Sequence, residues 1–147
     1  MSIFPTKILL ATDGSEDAQL AAKTAVQLST KLESELHVVY VAPEHASYDR
    51  RSREEVQRFR REDERALDEH ADRVRQAGGT VAETHLRVGK AAKEIVDLAE
   101  KLGFGLVVVG CRGHGRLRRA LTGSVTDSVV RHAHSPVMVV RPEKGGA

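Results

Sequence analysis

The chain is poor in aromatic residues and in cysteine, and it has no long apolar run. Aromatic residues are 3% of the 147 residues and tryptophan is absent, so the core has to be built from valine, leucine, isoleucine and alanine. The single cysteine, Cys111, excludes a disulfide framework, which favours a reducing compartment. No apolar run approaches the roughly 20 residues of a membrane-spanning helix, and we see no signal peptide. We therefore expect a cytoplasmic protein that does not associate with membranes.

The overall charge is too small to imply nucleic-acid binding by itself, and we expect no nucleic-acid partner. The formal net charge is only +2, from 23 basic and 21 acidic residues. The positive charge is instead concentrated in one segment, which carries Arg112, Arg116, Arg118 and Arg119. The length predicts a single domain over residues 1–147, with residues 143–147 as a flexible tail.

Buried strands and amphipathic helices alternate along the whole chain. Apolar strands are predicted at residues 7–12, 36–41, 80–88, 106–109 and 137–140, with helices between them, including a long charged helix over 51–76. This alternation predicts an α/β fold with an open, parallel, five-stranded, Rossmann-like sheet and helices on both faces. The third strand alternates polar and apolar residues, which indicates a sheet edge. His37 and His85 share no ligand spacing with Cys or Glu, and we interpret both as structural.

The stretch after the fourth strand has the composition of a phosphate-binding loop. Glycines at 110, 113 and 123 leave room for a ligand beside the backbone, Arg112 adds positive charge, and Ser124 opens a helix. The predicted buried stripe of this helix is Val125, Val129, Val130 and Ala133. The N-terminus of a helix carries unpaired N–H groups and a partial positive charge, both of which favour a phosphate. The alternative is that these glycines only make a tight connection between strand and helix.

Asp13 follows the first strand directly, at the end of the sheet where open parallel sheets bind ligands. Its alternative role is to cap a turn, which is common for Asp before Gly. The sequence does not distinguish the two roles.

Three segments resemble the ATP-binding branch of the universal stress protein family. They are the spacing Gly110-x2-Gly113-x9-Gly123-Ser124, the N-terminal ILLATDGSE and the C-terminal SPVMVVRP. The resemblance implies the strand order 3-2-1-4-5, bound ATP, Asp13 near the adenosine and Val41 against the adenine. A divalent ion, Mg²⁺ or Mn²⁺, could accompany the ATP. It also implies a role in stress survival. The residues do not identify the metal, the stress or a protein partner.

The candidate nucleotide site follows from the motif and the residues that flank it. It comprises Ala11, Thr12, Asp13, Val41, Val109, Gly110, Arg112, Gly113, Gly123, Ser124 and Val125. Ser124 or Asp13 could help to hold a divalent ion. We expect a nucleotide-binding regulatory protein and assign no catalytic residue, since the site has no evident base and no P-loop lysine. Two alternatives stay open: a slow ATPase or nucleotide-transferring enzyme, in which His114 could act as base, and a nucleotide-free interaction protein.

The fifth strand predicts self-association. In the order 3-2-1-4-5 it lies at an edge, and residues 137–140 lack the charges that normally protect an edge strand. We therefore expect a homodimer formed by two-fold antiparallel pairing of this strand.

Overall fold

The computed structural model describes residues 6–44, 52–111 and 124–142. Three residues of the candidate site, Arg112, Gly113 and Gly123, lie outside the described residues, as does the expected tail at 143–147.

Five strands alternate with four helices, as the sequence predicts. The elements are β1 (Lys7–Ala11), α1 (Glu16–Leu32), β2 (Glu35–Ala42), α2 (Arg53–Gln76), β3 (Val81–Val88), α3 (Ala91–Leu102), β4 (Leu106–Gly110), α4 (Ser124–His132) and β5 (Val137–Val140). The predicted strand bounds agree with these to within one residue. No helix among the described residues is both long enough and apolar enough to cross a membrane.

The strands form one parallel sheet in the order β3-β2-β1-β4-β5, which confirms the predicted fold class. Side chains alternate across the sheet, so each face carries its own apolar core. Leu10 and Val38 face α1 and α2, whereas Leu9 and Val39 face α3 and α4. Both cores are aliphatic apart from Phe104 and the partly buried Tyr40, as the composition predicts.

Local signals set the helix ends. The Ser15 hydroxyl accepts the backbone N–H of Ala18 at 3.2 Å and begins α1, and Ser52 caps α2 in the same way through Glu55. Gly103 ends α3 in the left-handed conformation, with φ of 71°. Because these features act over a few residues, the sequence alone can predict where the helices lie.

The predicted buried face of α4 needs correction. The sequence places Val125 and Val130 on its buried stripe with Val129, but their exposed fractions are 43% and 51%. Thr126 and Val129 are the buried residues of this helix. At about 100° per residue, Val125 and Val130 fall to either side of the face centred on Thr126 and Val129. The apolar residues of this short helix therefore cover a wider arc than the face that is buried, and Val125 and Val130 remain exposed.

His37 and His85 form a buried pair on the α3 side of the sheet. Nδ1 of His37 lies 3.1 Å from Nε2 of His85, and both residues pack edge-on against Phe104. Burial lowers the pKa of His85, although Glu83 nearby opposes that shift. These contacts fix both rings, and they bring His85 and Glu83 of β3 next to His37 of β2, a proximity that the sequence spacing did not indicate.

Candidate functional site

The carboxyl ends of β2, β1 and β4 lie side by side at one edge of the sheet. β1 pairs with β2 on one side and with β4 on the other. Since neighbouring strands are about 4.8 Å apart, the ends of β2 and β4 are separated by roughly 10 Å. From β1 the chain adds β2 and β3 on one side of β1, and it then crosses back to add β4 and β5 on the other side. The strand order therefore reverses between β1 and β4, and such a point is where open α/β sheets bind ligands.

The turn between β1 and α1 is built from local hydrogen bonds. The Asp13 carboxylate accepts the backbone N–H of Ser15 at 2.9 Å, and the Thr12 hydroxyl accepts that of Gly14 at 3.3 Å. The backbone N–H of Thr12 still donates to Val39 in β2, at 3.1 Å. Asp13 therefore has the turn-forming role that the sequence left open. This role holds its carboxyl group, in a partly exposed residue, at the carboxyl edge of the sheet.

Gly110 lies where β4 passes the start of α1. A Cβ atom there would come within 2.8 Å of the carbonyl group of Asp17, closer than side chains approach a backbone. Gly110 does not have a positive φ. The close approach of β4 and α1 is therefore sufficient to explain this glycine.

The start of α4 is tied to the end of β4. The Thr126 hydroxyl is buried and donates to the carbonyl oxygen of Gly110 at 2.7 Å. Thr126 lies in the first turn of α4, so this bond holds the N-terminus of α4, and with it Ser124, near the end of β4. The backbone N–H groups of that terminus are suited to an anionic group.

Helix α2 contributes side chains to the β1–α1 turn. A cleft of about 290 Å³ lies beside this turn, bounded by Thr12 and Gly14, by Gln19 and Lys23 of α1, and by His70 and Arg73 of α2, among others. His70 packs so closely that a Cβ atom at Gly14 would lie 2.6 Å from its ring. Lys23 and Arg73 add positive charge to the lining of this cleft.

The pKa of the Tyr40 hydroxyl is raised by burial and by nearby carboxylates. Its ring meets that of His70 edge-on, with centroids 5.1 Å apart. Burial raises the pKa of the Tyr40 hydroxyl, and the carboxylates of Asp63 and Asp13 raise it further.

The candidate residues divide into three groups. Ala11, Thr12, Asp13, Val41, Val109 and Gly110 lie at or just beyond the carboxyl ends of β1, β2 and β4. Ser124 and Val125 begin α4, and Val125 is exposed. The remaining three, Arg112, Gly113 and Gly123, are outside the described residues.

Sequence reasoning did not select His70, Arg73 or Thr126. His70 and Arg73 flank the buried residues Ala71 and Val74 on α2, so the helical period alone could have placed them at the margin of the packed face. No local pattern indicates that this margin meets the β1–α1 turn. That contact depends on how α2 packs against α1.

Comparison with known proteins identifies the family. Residues 5–141 match the Universal stress protein family. The chain belongs to this family. It is 32% identical to a universal stress protein of Methanocaldococcus jannaschii over 146 residues, which covers 94% of this chain and 83% of that protein.

Two solved structures of the family extend the comparison. The universal stress protein UspA of Lactobacillus plantarum superposes with a TM-score of 0.77 at 25% identity, over 95% of this chain and all of the other. A universal stress protein in complex with cAMP superposes with a TM-score of 0.69 at 26% identity, over 93% of this chain and 97% of the other. The second comparison shows that a protein of this fold can hold an adenine nucleotide.

Proposed function

We propose that this chain binds ATP at the carboxyl edge of the sheet and acts as a nucleotide-dependent regulator in a stress response, with little or no turnover. The observation that carries the proposal is the position of Asp13. The turn that its carboxylate closes lies at the end of β1, beside β4, where the strand order reverses. The similarity to a family member in complex with cAMP supports an adenine nucleotide as the ligand.

The bound phosphates would lie at the start of α4. In this proposal the backbone N–H groups near Ser124 and the glycine-rich segment that contains Arg112 and Gly113 supply the donors and the positive charge. Ser124 and Asp13 would hold Mg²⁺ or Mn²⁺, because hydroxyl and carboxylate oxygens are the ligands that these ions prefer. The ion would neutralise phosphate charge when bound.

The adenosine would lie across the end of β2. Val41 is partly buried and packs against the core beneath α3 and α4, the cluster that also contains Val109. Ala11 belongs to the same cluster, so the three strand ends offer an apolar floor for a base. In the proposed site, this floor orients the adenine and the carboxylate of Asp13 binds near the ribose.

The proposed role is to bind rather than to hydrolyse. The Asp13 carboxylate is engaged with the N–H of Ser15, which suits a positioning group better than a general base. A binding protein of this kind would respond to the nucleotide level in the cytoplasm, the compartment that the single, buried Cys111 favours.

The proposed assembly is a homodimer through β5. The carbonyl groups of Pro136 and Val140 accept N–H groups from the β4 side, at Val107 and Cys111. Because consecutive residues of a strand point their backbone groups to opposite sides, those of Val137 and Val139 face away from β4. In the dimer a second copy of β5 would pair with these groups, and the exposed Val130 on α4 would extend the apolar contact.

Calorimetric titration with ATP and Mg²⁺ tests the proposal directly. We expect micromolar binding by the unmodified protein and an affinity at least tenfold lower for Gly113→Val, a loss of about 1.4 kcal/mol. Circular dichroism and urea unfolding of the variant establish that it is folded. A folded unmodified protein that does not bind ATP would contradict the proposal and favour a nucleotide-free interaction protein.

A turnover assay separates the binding protein from an enzyme. We expect phosphate release at the background rate when ATP is saturating. Steady release well above background that is lost in both Asp13→Ala and His114→Ala would instead identify a slow ATPase. Release that survives both substitutions would point to a contaminant.

A further inference from the structure

Three potential metal ligands meet on β2 and β3, away from the proposed nucleotide site. Nδ1 of His37 lies 3.1 Å from Nε2 of His85 and 4.0 Å from a carboxylate oxygen of Glu83. One ligand atom from each residue can be chosen so that all three lie within 4.8 Å of one another. The strand register causes this convergence, because His37 is opposite Glu83 and the next residue on the same face of β3 is His85.

The spacing suits a small divalent ion. Zinc bonds of 2.0–2.1 Å in a tetrahedral site place neighbouring ligand atoms about 3.3 Å apart. The two imidazole nitrogens are already close to that separation. The Glu83 side chain is 63% exposed, so it can rotate to shorten its distance to His37.

Glu35 is placed to orient His37. Its carboxylate lies 3.3 Å from Nε2 of His37, the ring nitrogen that does not face His85. A proton on Nε2 would donate to Glu35 and leave the lone pair of Nδ1 for a metal. Carboxylate–histidine pairs of this kind commonly fix the tautomer of a metal-bound imidazole.

Packing holds both imidazoles in place before any ion binds. His37 and His85 are 4% and 6% exposed. Phe104 meets the His37 ring edge-on at 4.8 Å between centroids. The nearby cations are held by backbone carbonyl groups, Lys7 by Leu102 and Arg87 by Leu86. The carboxylates of Glu35 and Glu83 supply the negative charge for a divalent ion.

From this geometry we propose that His37, Glu83 and His85 bind a divalent transition-metal ion of the zinc class. Two imidazoles and one carboxylate suit Zn²⁺ better than Mg²⁺ or Ca²⁺, which prefer oxygen ligands. The three ligands leave a fourth position for water on the exposed side, where Glu83 lies. His37 is four residues before Val41 on β2, about 13 Å along the strand, so this site is separate from the proposed nucleotide site.

Titration with Zn²⁺ in nucleotide-free buffer tests the site. We expect one equivalent to bind with a Kd in the micromolar range or below, and Glu83→Gln to weaken binding at least tenfold. Glu83→Gln changes an exposed side chain, so the fold should be retained. Glu35→Gln should weaken binding about tenfold without changing the stoichiometry, as expected of a positioning residue.

The chain offers a matched control for Glu83→Gln. The carboxylate of Glu100 lies 4.0 Å from Nε2 of His134, and its side chain is 62% exposed, close to the values for Glu83 and His37. The difference is that His134 is 72% exposed, whereas the side chain of His37 is 5% exposed. Glu100→Gln should leave zinc binding unchanged.

Co²⁺ gives a second readout that does not depend on affinity alone. Tetrahedral imidazole ligation should produce visible absorption bands in the unmodified protein and in Glu100→Gln, and His85→Gln should abolish them. Failure to bind Zn²⁺ at about 100 µM, some 5.5 kcal/mol of binding free energy, or an equal loss of affinity in Glu83→Gln and Glu100→Gln, would overturn the proposal. ATP binding should not change in Glu83→Gln, so the two sites can be tested independently.

Discussion

Gly110 at the end of β4 lies against the backbone of Asp17 in the first turn of α1, and a Cβ atom there would be 2.8 Å from the Asp17 carbonyl oxygen. We predict that Gly110→Ala lowers the free energy of unfolding by about 1–3 kcal/mol, because the extra methyl group forces β4 and α1 apart. Urea unfolding of the nucleotide-free protein measures this change. Unaltered stability together with weaker ATP binding would show that Gly110 serves the ligand instead.

Gly103 provides the control for this experiment. It has a φ of 71°, and among the described residues other than its chain neighbours no atom lies within 4 Å of its Cβ position, so its backbone conformation is the constraint. Gly103→Ala should cost about 1–2 kcal/mol, whereas Gly103→Asn should cost less because Asn tolerates this conformation. At Gly110, asparagine should be no better than alanine, since the constraint there is space.

Asp13 combines a structural role with the proposed binding role, and two substitutions separate them. Asp13→Asn keeps a side-chain oxygen that accepts the Ser15 N–H, so it should change the free energy of unfolding by no more than about 0.5 kcal/mol. Asp13→Ala removes that acceptor and should cost about 1 kcal/mol. Both should lower ATP affinity at least tenfold in calorimetry.

Asp97→Asn is the control for Asp13→Asn. Asp97 is an exposed residue of α3 that pairs with Lys93, and the substitution removes the same charge from a residue that is not part of the candidate site. ATP affinity should be unchanged. If Asp13→Asn also binds ATP normally, Asp13 has only its turn-forming role.

The two sheet edges allow a direct test of the proposed dimer. Val139→Pro removes an N–H that points away from β4, so it should spare the β4–β5 ladder but prevent pairing with a second β5. Light scattering should give about twice the 16.1 kDa chain mass for the unmodified protein and the chain mass for this variant. Circular dichroism should show that the variant is folded.

Val88→Pro is the matched variant at the opposite edge. Gly89 donates its N–H to Ala42 of β2, so the N–H of Val88, one residue earlier, points away from the sheet. Val88 is also an exposed apolar residue, at 42%. This variant should remain dimeric, and its dissociation would place the interface at β3.

The Tyr40 hydroxyl should ionise with a pKa above its ordinary value of 10.0. Burial is the main cause, and the carboxylates of Asp63 and Asp13 add to it. Because the pKa in the folded state exceeds that in the unfolded state, the folded protein favours the protonated phenol. The contribution of Tyr40 to the free energy of unfolding is therefore fully present below the unfolded-state pKa, and it is lost as the pH rises through the raised pKa.

Ultraviolet absorbance can follow this ionisation for Tyr40 alone. The chain has two tyrosines, so Tyr48→Phe leaves Tyr40 as the only phenol. Asp63→Asn in that background should move the pKa of Tyr40 back towards 10.0. A midpoint at or below the ordinary value in the folded protein would contradict the prediction.

Local sequence patterns predicted most of the fold for a physical reason. Ser15, Ser52 and Gly103 act through hydrogen bonds and dihedral angles within a few residues, so their effect can be read from the chain. The prediction for α4 was wrong for Val125 and Val130, because an apolar residue is not obliged to be buried. The sequence left two roles open for Asp13, ligand binding and turn formation, because each requires a carboxylate directly after a strand.

By itself, the sequence determined the succession of strands and helices and, through it, a parallel sheet whose strand ends share one edge. These properties follow from periodicity, capping and the handedness of crossovers, all of which are local or general. The tertiary structure alone decided that Gly110 meets Asp17, that His70 meets Gly14 and that His37 meets His85 and Glu83. Residues in these contacts are distant along the chain, and their side chains meet only after strand register and helix packing are set.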